Sequence, residues 1–216
     1  MARSRVLRTG AILALGVGVA MAAHWSGGDA IALPSYGELP AFQLTDERGA
    51  AYGREALLEH VSVVDFVFTS CTTACPRLSA EMAKLQAELR AAHLGDRVQL
   101  LSISIDPERD TPERLRALAA RYTADPAVWH FLRGDEQTLR AVVVDGMKQV
   151  MDRQPDRGEV DGFTILHGTR LVVVDGRARI RGFYDAADAE AMARLRRDVA
   201  GLAHTRGARG GEEPSR

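Results

Sequence analysis

The two cysteines of the chain lie four residues apart, where an apolar segment gives way to a helical pattern. Cys71 is followed by three small residues, and Cys75 is followed directly by Pro76. Proline is favoured in the first turn of a helix, because its missing N–H would have no partner there. Cys75 is therefore predicted near a helix N-terminus, where backbone N–H groups and the helix dipole stabilise a thiolate.

Two neighbouring thiols serve three kinds of chemistry: a structural disulfide, a redox couple, or a site for a soft metal ion. A structural disulfide stays open as an interpretation, although closing so short a loop restricts the unfolded chain little. Two sulfurs leave most metal ions short of ligands. A metal site therefore requires a third donor from elsewhere in the chain, of the Cys, Met or His type.

Strand-like and helix-like segments alternate around this pair and predict a single α/β domain. The predicted strands are a hairpin within 39–49, then 63–68, 98–105, 129–132, 163–174 and 178–183. The predicted helices follow Cys75, Thr111 and Asp135, with a last one at 187–202 and a polar loop at 152–161. This order is that of a thioredoxin-like fold with an N-terminal β-hairpin extension and a C-terminal hairpin plus helix.

The N-terminus has the pattern of an export segment. Arg3, Arg5 and Arg8 precede an uncharged, mostly apolar run at 9–23, which is short for a spanning helix of about 17–25 residues. The run is predicted to be a cleaved signal peptide or a retained anchor with its arginines inside. Either outcome places the domain at the periplasmic face of the inner membrane, anchored or soluble.

These features divide the chain into three parts. Residues 1–28 are predicted to be the signal or anchor plus a linker, 29–204 the thioredoxin-like domain, and 205–216 a disordered tail. The net charge is −1, and aromatic residues make up only 6% of the sequence. Nothing in this composition favours a nucleic-acid partner.

One of the six histidines, His167, occupies a position of special interest. In thioredoxin-like folds the residue just before the strand corresponding to 171–174 faces the cysteine loop, and thioredoxins usually carry a proline there. An imidazole at that position supplies the third ligand that two sulfurs lack. The alternative is a histidine that is simply buried and hydrogen-bonded in the core.

These features together resemble the SCO/SenC copper proteins, which support assembly of the dicopper centre of cytochrome c oxidase. The resemblance covers about 39–202. It rests on Phe-Thr-Ser-Cys-Thr-Thr-Ala-Cys-Pro at 68–76, on Ile-Asp-Pro-Glu-Arg-Asp-Thr-Pro at 105–112, on His167 and on the export segment. The chain departs from the family pattern at Thr72, where proline is usual, and on both sides of the histidine.

The resemblance implies a copper site made of Cys71, Cys75 and His167. Two thiolates would satisfy copper(I), whereas copper(II) would favour the added imidazole. Cys75 would be the sulfur with the lower pKa, and Cys71 would stay mobile enough to pass the metal on. The implied partners are a copper-accepting subunit of a terminal oxidase and a thiol-disulfide reductant.

Other interpretations remain beside this metallochaperone function. A thiol-disulfide oxidoreductase would use Cys71 and Cys75 on partner cysteines without stable copper. A peroxidase of the peroxiredoxin type is weaker, because no arginine is a clear candidate to polarise the peroxide. Loop 106–112 is either functional or only a capped loop, and Met147 and Met151 are expected to pack in the core rather than bind copper.

Overall fold

The computed structural model describes residues 33–71, 74–155, 163–167 and 170–205. The predicted export segment and most of the predicted tail lie outside these residues, so those predictions stay untested. No helix within the described ranges is long and apolar enough to cross a membrane.

Nine strands form within the described residues. They are β1 (Gln43–Asp46), β2 (Ala51–Gly53), β3 (Val61–Val67), β4 (Val98–Ser104), β5 (Trp129–Arg133), β6 (Met151–Pro155), β7 (Phe163–His167), β8 (Arg170–Val174) and β9 (Ile180–Asp185). Seven of them form one sheet in the order β2-β1-β5-β4-β3-β8-β9, and β6 pairs with β7 as a separate two-stranded sheet. Strands β3, β4 and β5 run parallel, whereas β8 runs antiparallel to β3.

Four α-helices accompany these strands in the described part of the chain. They are α1 (Ala74–Ala91), α2 (Pro112–Arg121), α3 (Glu136–Leu139) and α4 (Ala189–Thr205); a 3₁₀ turn lies at Arg54–Leu57, and α3 continues as a π-helix over Arg140–Gly146. The predicted caps are confirmed. Thr111 accepts from the Arg114 N–H with Pro112 at the first helical position, and Asp135 accepts from the Thr138 N–H, which stabilises both helix starts.

The large sheet is covered on both faces. One core cluster joins α1, α2 and α4 to one face of the sheet, and the other joins the α3 region and the N-terminal hairpin to the opposite face. The apolar face predicted for α1 is confirmed, since all four of its large side chains are buried: Leu78, Met82, Leu85 and Leu89. Each such side chain contributes about 1.5–3 kcal/mol by leaving water, which anchors α1 firmly behind the cysteine pair.

One prediction around the β6–β7 hairpin was wrong. Residues 152–155 were expected to belong to a polar loop, but they form β6. The run at 163–174 has the strand character that was predicted, and it contains β7 and β8, which lie in different sheets. Strand pairing uses backbone groups, so a polar sequence is able to pair, and side-chain pattern alone does not show where a chain changes sheet.

Candidate metal centre

The carboxyl edge of the central strands brings three chain segments together. Val67 and Ser104 are paired at the ends of parallel β3 and β4, so the cysteine turn and loop 106–112 leave the sheet side by side. Val64 of β3 pairs with Val172 of antiparallel β8, so the chain enters β8 at this same edge. The cysteine motif, loop 106–112 and the start of β8 therefore meet at this edge of the sheet.

Cys71 ends a tight turn that follows β3. All seven residues of β3 are buried, and the Cys71 N–H donates to the Phe68 carbonyl oxygen at 3.1 Å. Helix α1 then begins at Ala74. Cys71 is thus on the turn, and Cys75 lies within the first helical turn, close to the position that the sequence predicted.

The two cysteines are linked by a hydrogen bond from the backbone of the helix and not by a disulfide. The Cys75 N–H donates to Cys71 Sγ at 3.3 Å, and neither cysteine is in a disulfide. Cys71 is partly exposed, whereas Cys75 is only 5% exposed. An N–H at a helix N-terminus stabilises negative charge, so the helix start acts on the sulfur of Cys71.

The expectation that Cys75 has the lower pKa was wrong. Its hydrogen bond with Cys71 and its burial raise the pKa of the Cys75 thiol far above the ordinary thiol range, and the charge of Asp65 adds to this effect. A hydrogen bond with the Phe68 backbone lowers the pKa by less. The neutral form of the Cys75 thiol is therefore favoured, because a buried thiolate beside other negative charge is costly.

Asp65 is a residue of the site that sequence reasoning missed. It is fully buried in β3, where its Oδ1 accepts from the Ser102 hydroxyl at 2.5 Å, and Ser102 Oγ in turn accepts from the indole N–H of Trp129 at 2.9 Å. A charged residue inside the apolar run at 63–68 was the available signal, since a buried carboxylate requires hydrogen-bond partners.

Asp110 is a second missed residue, and it ties loop 106–112 to the cysteine turn. Its buried carboxylate accepts from the Thr69 N–H at 3.0 and 3.2 Å and from the Thr69 hydroxyl at 2.5 Å. The Ser104 hydroxyl donates to the same carboxylate at 2.5 Å. The loop is therefore more than a capped helix start.

The third predicted ligand is only partly located. His167 is the last residue of β7, and its backbone pairs with Met151 of β6. The imidazole lies outside the described part of the structure, so the triad of Cys71, Cys75 and His167 stays a prediction. Among the side chains that are described, no three of the His, Cys, Asp and Glu types form a metal-binding group.

The methionines meet the expectation from sequence. Met147 is 1% exposed and Met151 is 9% exposed, and both belong to the core cluster on the α3 face of the sheet. Packing therefore accounts for both side chains, in keeping with the use of methionine as a gap-filler.

The two thiols are expected to react at different rates with iodoacetamide. Cys71 should be alkylated first at about pH 7.5, whereas Cys75 should resist well above roughly pH 8.5, the ordinary thiol range, because its pKa is raised by Cys71 and by burial. Mass spectrometry of the labelled peptides measures both rates. The urea-unfolded chain is the control, in which both thiols should react alike; faster labelling of Cys75 in the folded chain would contradict this assignment.

The profile of the SCO1/SenC family matches residues 35–203, which include both cysteines, loop 106–112 and His167. The chain belongs to the SCO1/SenC family. This finding confirms the resemblance that the motifs indicated. The family match also spans nearly every residue that the structure describes.

Individual SCO1/SenC relatives agree with this assignment. The SCO1 protein homolog of Bacillus subtilis (strain 168) is 37% identical over 163 residues, which cover 75% of this chain and 81% of the relative. A SCO1/SenC family lipoprotein from Bacillus anthracis str. Ames superposes with a TM-score of 0.68 at 31% identity, over 77% of this chain and 95% of that one. The copper-bound structure of ScoI from Bradyrhizobium japonicum superposes with a TM-score of 0.60 at 27% identity, over 74% of this chain and 99% of that one. The thioredoxin-like α/β fold is thereby confirmed.

Proposed function

We propose that this SCO1/SenC protein binds copper and delivers it to the dicopper centre of cytochrome c oxidase, or prepares the cysteines of that centre. The observation that carries the proposal is the close pair of cysteines, in which the Cys75 N–H donates to Cys71 Sγ at the start of α1 and no disulfide joins the two sulfurs. Two thiolates suit copper(I), which prefers soft ligands. A copper-bound structure within the same family supports this choice of metal.

In this proposal Cys71, Cys75 and His167 hold the copper. Cys75 is buried on α1 and serves as the fixed ligand, while Cys71 is partly exposed on the turn and is the sulfur that an acceptor reaches first. Ligand exchange then begins at Cys71 and needs no chemical turnover. His167 precedes β8 by three residues, and its imidazole would complete the coordination of copper(II).

A second candidate function is the reduction of a partner's disulfide. Cys71 would attack the partner disulfide as a thiolate, form a mixed disulfide and release one partner sulfur as a thiolate. Cys75 would pass its proton to that thiolate and attack Cys71 Sγ, which breaks the mixed disulfide, forms the Cys71–Cys75 disulfide and releases the second partner sulfur as a thiolate that takes its proton from water. The partner gains the two electrons, and an external thiol reductant must restore the pair. The different exposures of the two sulfurs favour this order of attack.

Copper transfer and disulfide reduction are expected to separate in one experiment. The reduced full chain, purified in detergent, should take up one copper(I) per molecule and pass it to an acceptor peptide with two reduced cysteines and a histidine. The same chain without copper is then mixed with the oxidised peptide, and released thiols are counted by mass. Thiol release without any copper uptake would replace the metallochaperone with the reductase, whereas both activities together would mean that the protein prepares its acceptor before loading it.

The proposed partner is the copper-accepting subunit of a terminal oxidase, with a thiol-disulfide reductant as a second partner. The proposed location is the periplasmic face of the inner membrane, reached through the segment at 1–28. The basic n-region and apolar run of the sequence support export, as does the existence of a lipoprotein within the family.

A further inference from the structure

We propose that Asp110 is a positioning residue for the cysteine pair, and that loop 106–112 serves to hold its carboxylate beneath the cysteine turn. The inference rests on the copper-binding function proposed above, because its main effect is on how tightly the two sulfurs hold the metal. Asp110 itself is not a ligand in this proposal. It acts through Thr69, which lies two residues before Cys71.

Asp110 is hydrogen-bonded to the cysteine turn through Thr69. Thr69 offers both its N–H and its hydroxyl to the Asp110 carboxylate, across 41 positions of sequence. Hydrogen bonds to an ionised acceptor are stronger than neutral ones, and these lie where Asp110 is fully buried. The same turn is closed by the bond from the Cys71 N–H to the Phe68 carbonyl. The backbone that carries Cys71 is therefore held at both of its ends.

Asp110 is itself held in place by hydrogen bonds within loop 106–112 and to the sheet. Its N–H donates to the Asp106 carbonyl at 3.0 Å, and the Asp106 N–H donates to Ser104 Oγ at 3.3 Å. Arg133 of β5 donates to the Asp110 carbonyl at 2.9 Å and to the Pro107 carbonyl at 3.3 Å. The carboxylate therefore belongs to a loop that is bonded to the sheet through Arg133 and Ser104, in addition to its bonds with the cysteine turn.

A comparison with Asp46 separates an effect on the position of Cys71 from a general effect on the stability of the fold. Asp46 is a matched case, because it is also buried and also organises a turn, accepting from the Arg48 N–H at 2.9 Å and the Ala50 N–H at 2.8 Å. Its partners lie within four residues, in the N-terminal hairpin. Loss of either carboxylate lowers stability, but only the loss of Asp110 frees the turn that carries Cys71.

The test compares Asp110→Asn with Asp46→Asn in the reduced full chain, purified in detergent, with copper(I) as the probe. Competition against a copper(I) chelator should show affinity about 10–100-fold weaker for Asp110→Asn, the range typical of residues that orient metal ligands, and little changed for Asp46→Asn. Thr69→Val removes the hydroxyl but leaves Asp110 intact, and should weaken binding in part. Thr69→Ser keeps the hydroxyl and should therefore keep copper(I) affinity near that of the wild type.

A second measurement does not depend on copper. The equilibrium between dithiothreitol and the Cys71–Cys75 pair exchanges one disulfide bond, two electrons and two protons, and its constant should shift by about tenfold in Asp110→Asn alone. A shift in copper(I) affinity or in the redox constant that Asp110→Asn shows and Asp46→Asn does not supports the proposal. If neither measurement shows such a shift, the proposal is overturned. If the wild type binds no copper but the redox constant still shifts, the copper function fails while the positioning role stands.

Discussion

Replacing either cysteine with serine is expected to abolish copper(I) binding by the full chain, with a loss in affinity greater than about 100-fold. Changes to residues that only orient ligands already cost about 10–100-fold, and a serine hydroxyl is a poor ligand for a soft ion. Cys71→Ser removes the partly exposed sulfur and Cys75→Ser the buried one. Chelator competition and copper analysis of the gel-filtered protein measure both losses.

Ser70→Ala is the matched control for the cysteine variants. Ser70 is exposed and lies in the same turn, next to Cys71, so its replacement should leave copper binding unchanged. Circular dichroism of all three variants checks that the fold is kept. Retention of copper at wild-type affinity by both Cys71→Ser and Cys75→Ser would show that the thiol pair is not the copper site.

His167→Ala is expected to separate the two oxidation states of copper. The variant should lose most of its copper(II) binding, because copper(II) favours imidazole nitrogen as a ligand, but should keep copper(I) within about tenfold, because two thiolates suffice for it. Electron paramagnetic resonance and the thiolate-to-copper charge-transfer absorption report the copper(II) state. Chelator competition reports the copper(I) state.

His93→Asn is the control for the histidine variant. His93 is exposed, follows α1 and has a φ of 54°, a left-handed conformation that asparagine tolerates. This variant should match the wild type in both oxidation states. A copper(II) spectrum in His167→Ala that is identical to that of the wild type would exclude His167 from the site and leave the third ligand to another residue.

The two sulfurs differ in their exposure to solvent, and this difference supports the proposed exchange of the metal. Cys75 is buried within the first turn of α1, whereas Cys71 is partly exposed on the turn before it. In the proposed function, an acceptor that approaches from solvent would meet Cys71 first, so the metal would leave through one sulfur while the other still holds it. The same asymmetry assigns attack to Cys71 and resolution to Cys75 in the alternative redox function.

Local patterns predicted most of the elements that surround this pair. The apolar spacing of Leu78, Met82 and Leu85 predicted the buried face of α1, and the Thr111–Pro112 pair predicted the start of α2; both are confirmed. These features depend on neighbouring residues alone, since helical periodicity and capping act over a few positions. Strand β6 was missed because it pairs through backbone groups, and its sequence shows no clear alternation of polar and apolar residues.

The sequence by itself determined the family, the thioredoxin-like order of elements and the place of the two cysteines at the end of a strand, because a Cys-x-x-x-Cys-Pro motif after an apolar run is a local pattern. Only the tertiary structure decided that Cys75 is hydrogen-bonded with Cys71 and buried, and these two effects raise the pKa of its thiol instead of lowering it. It also decided that Asp110 bonds to Thr69 and that Asp65 lies near Cys75. Burial and long-range hydrogen bonds arise only when distant segments meet at the edge of the sheet, and no spacing along the chain encodes them.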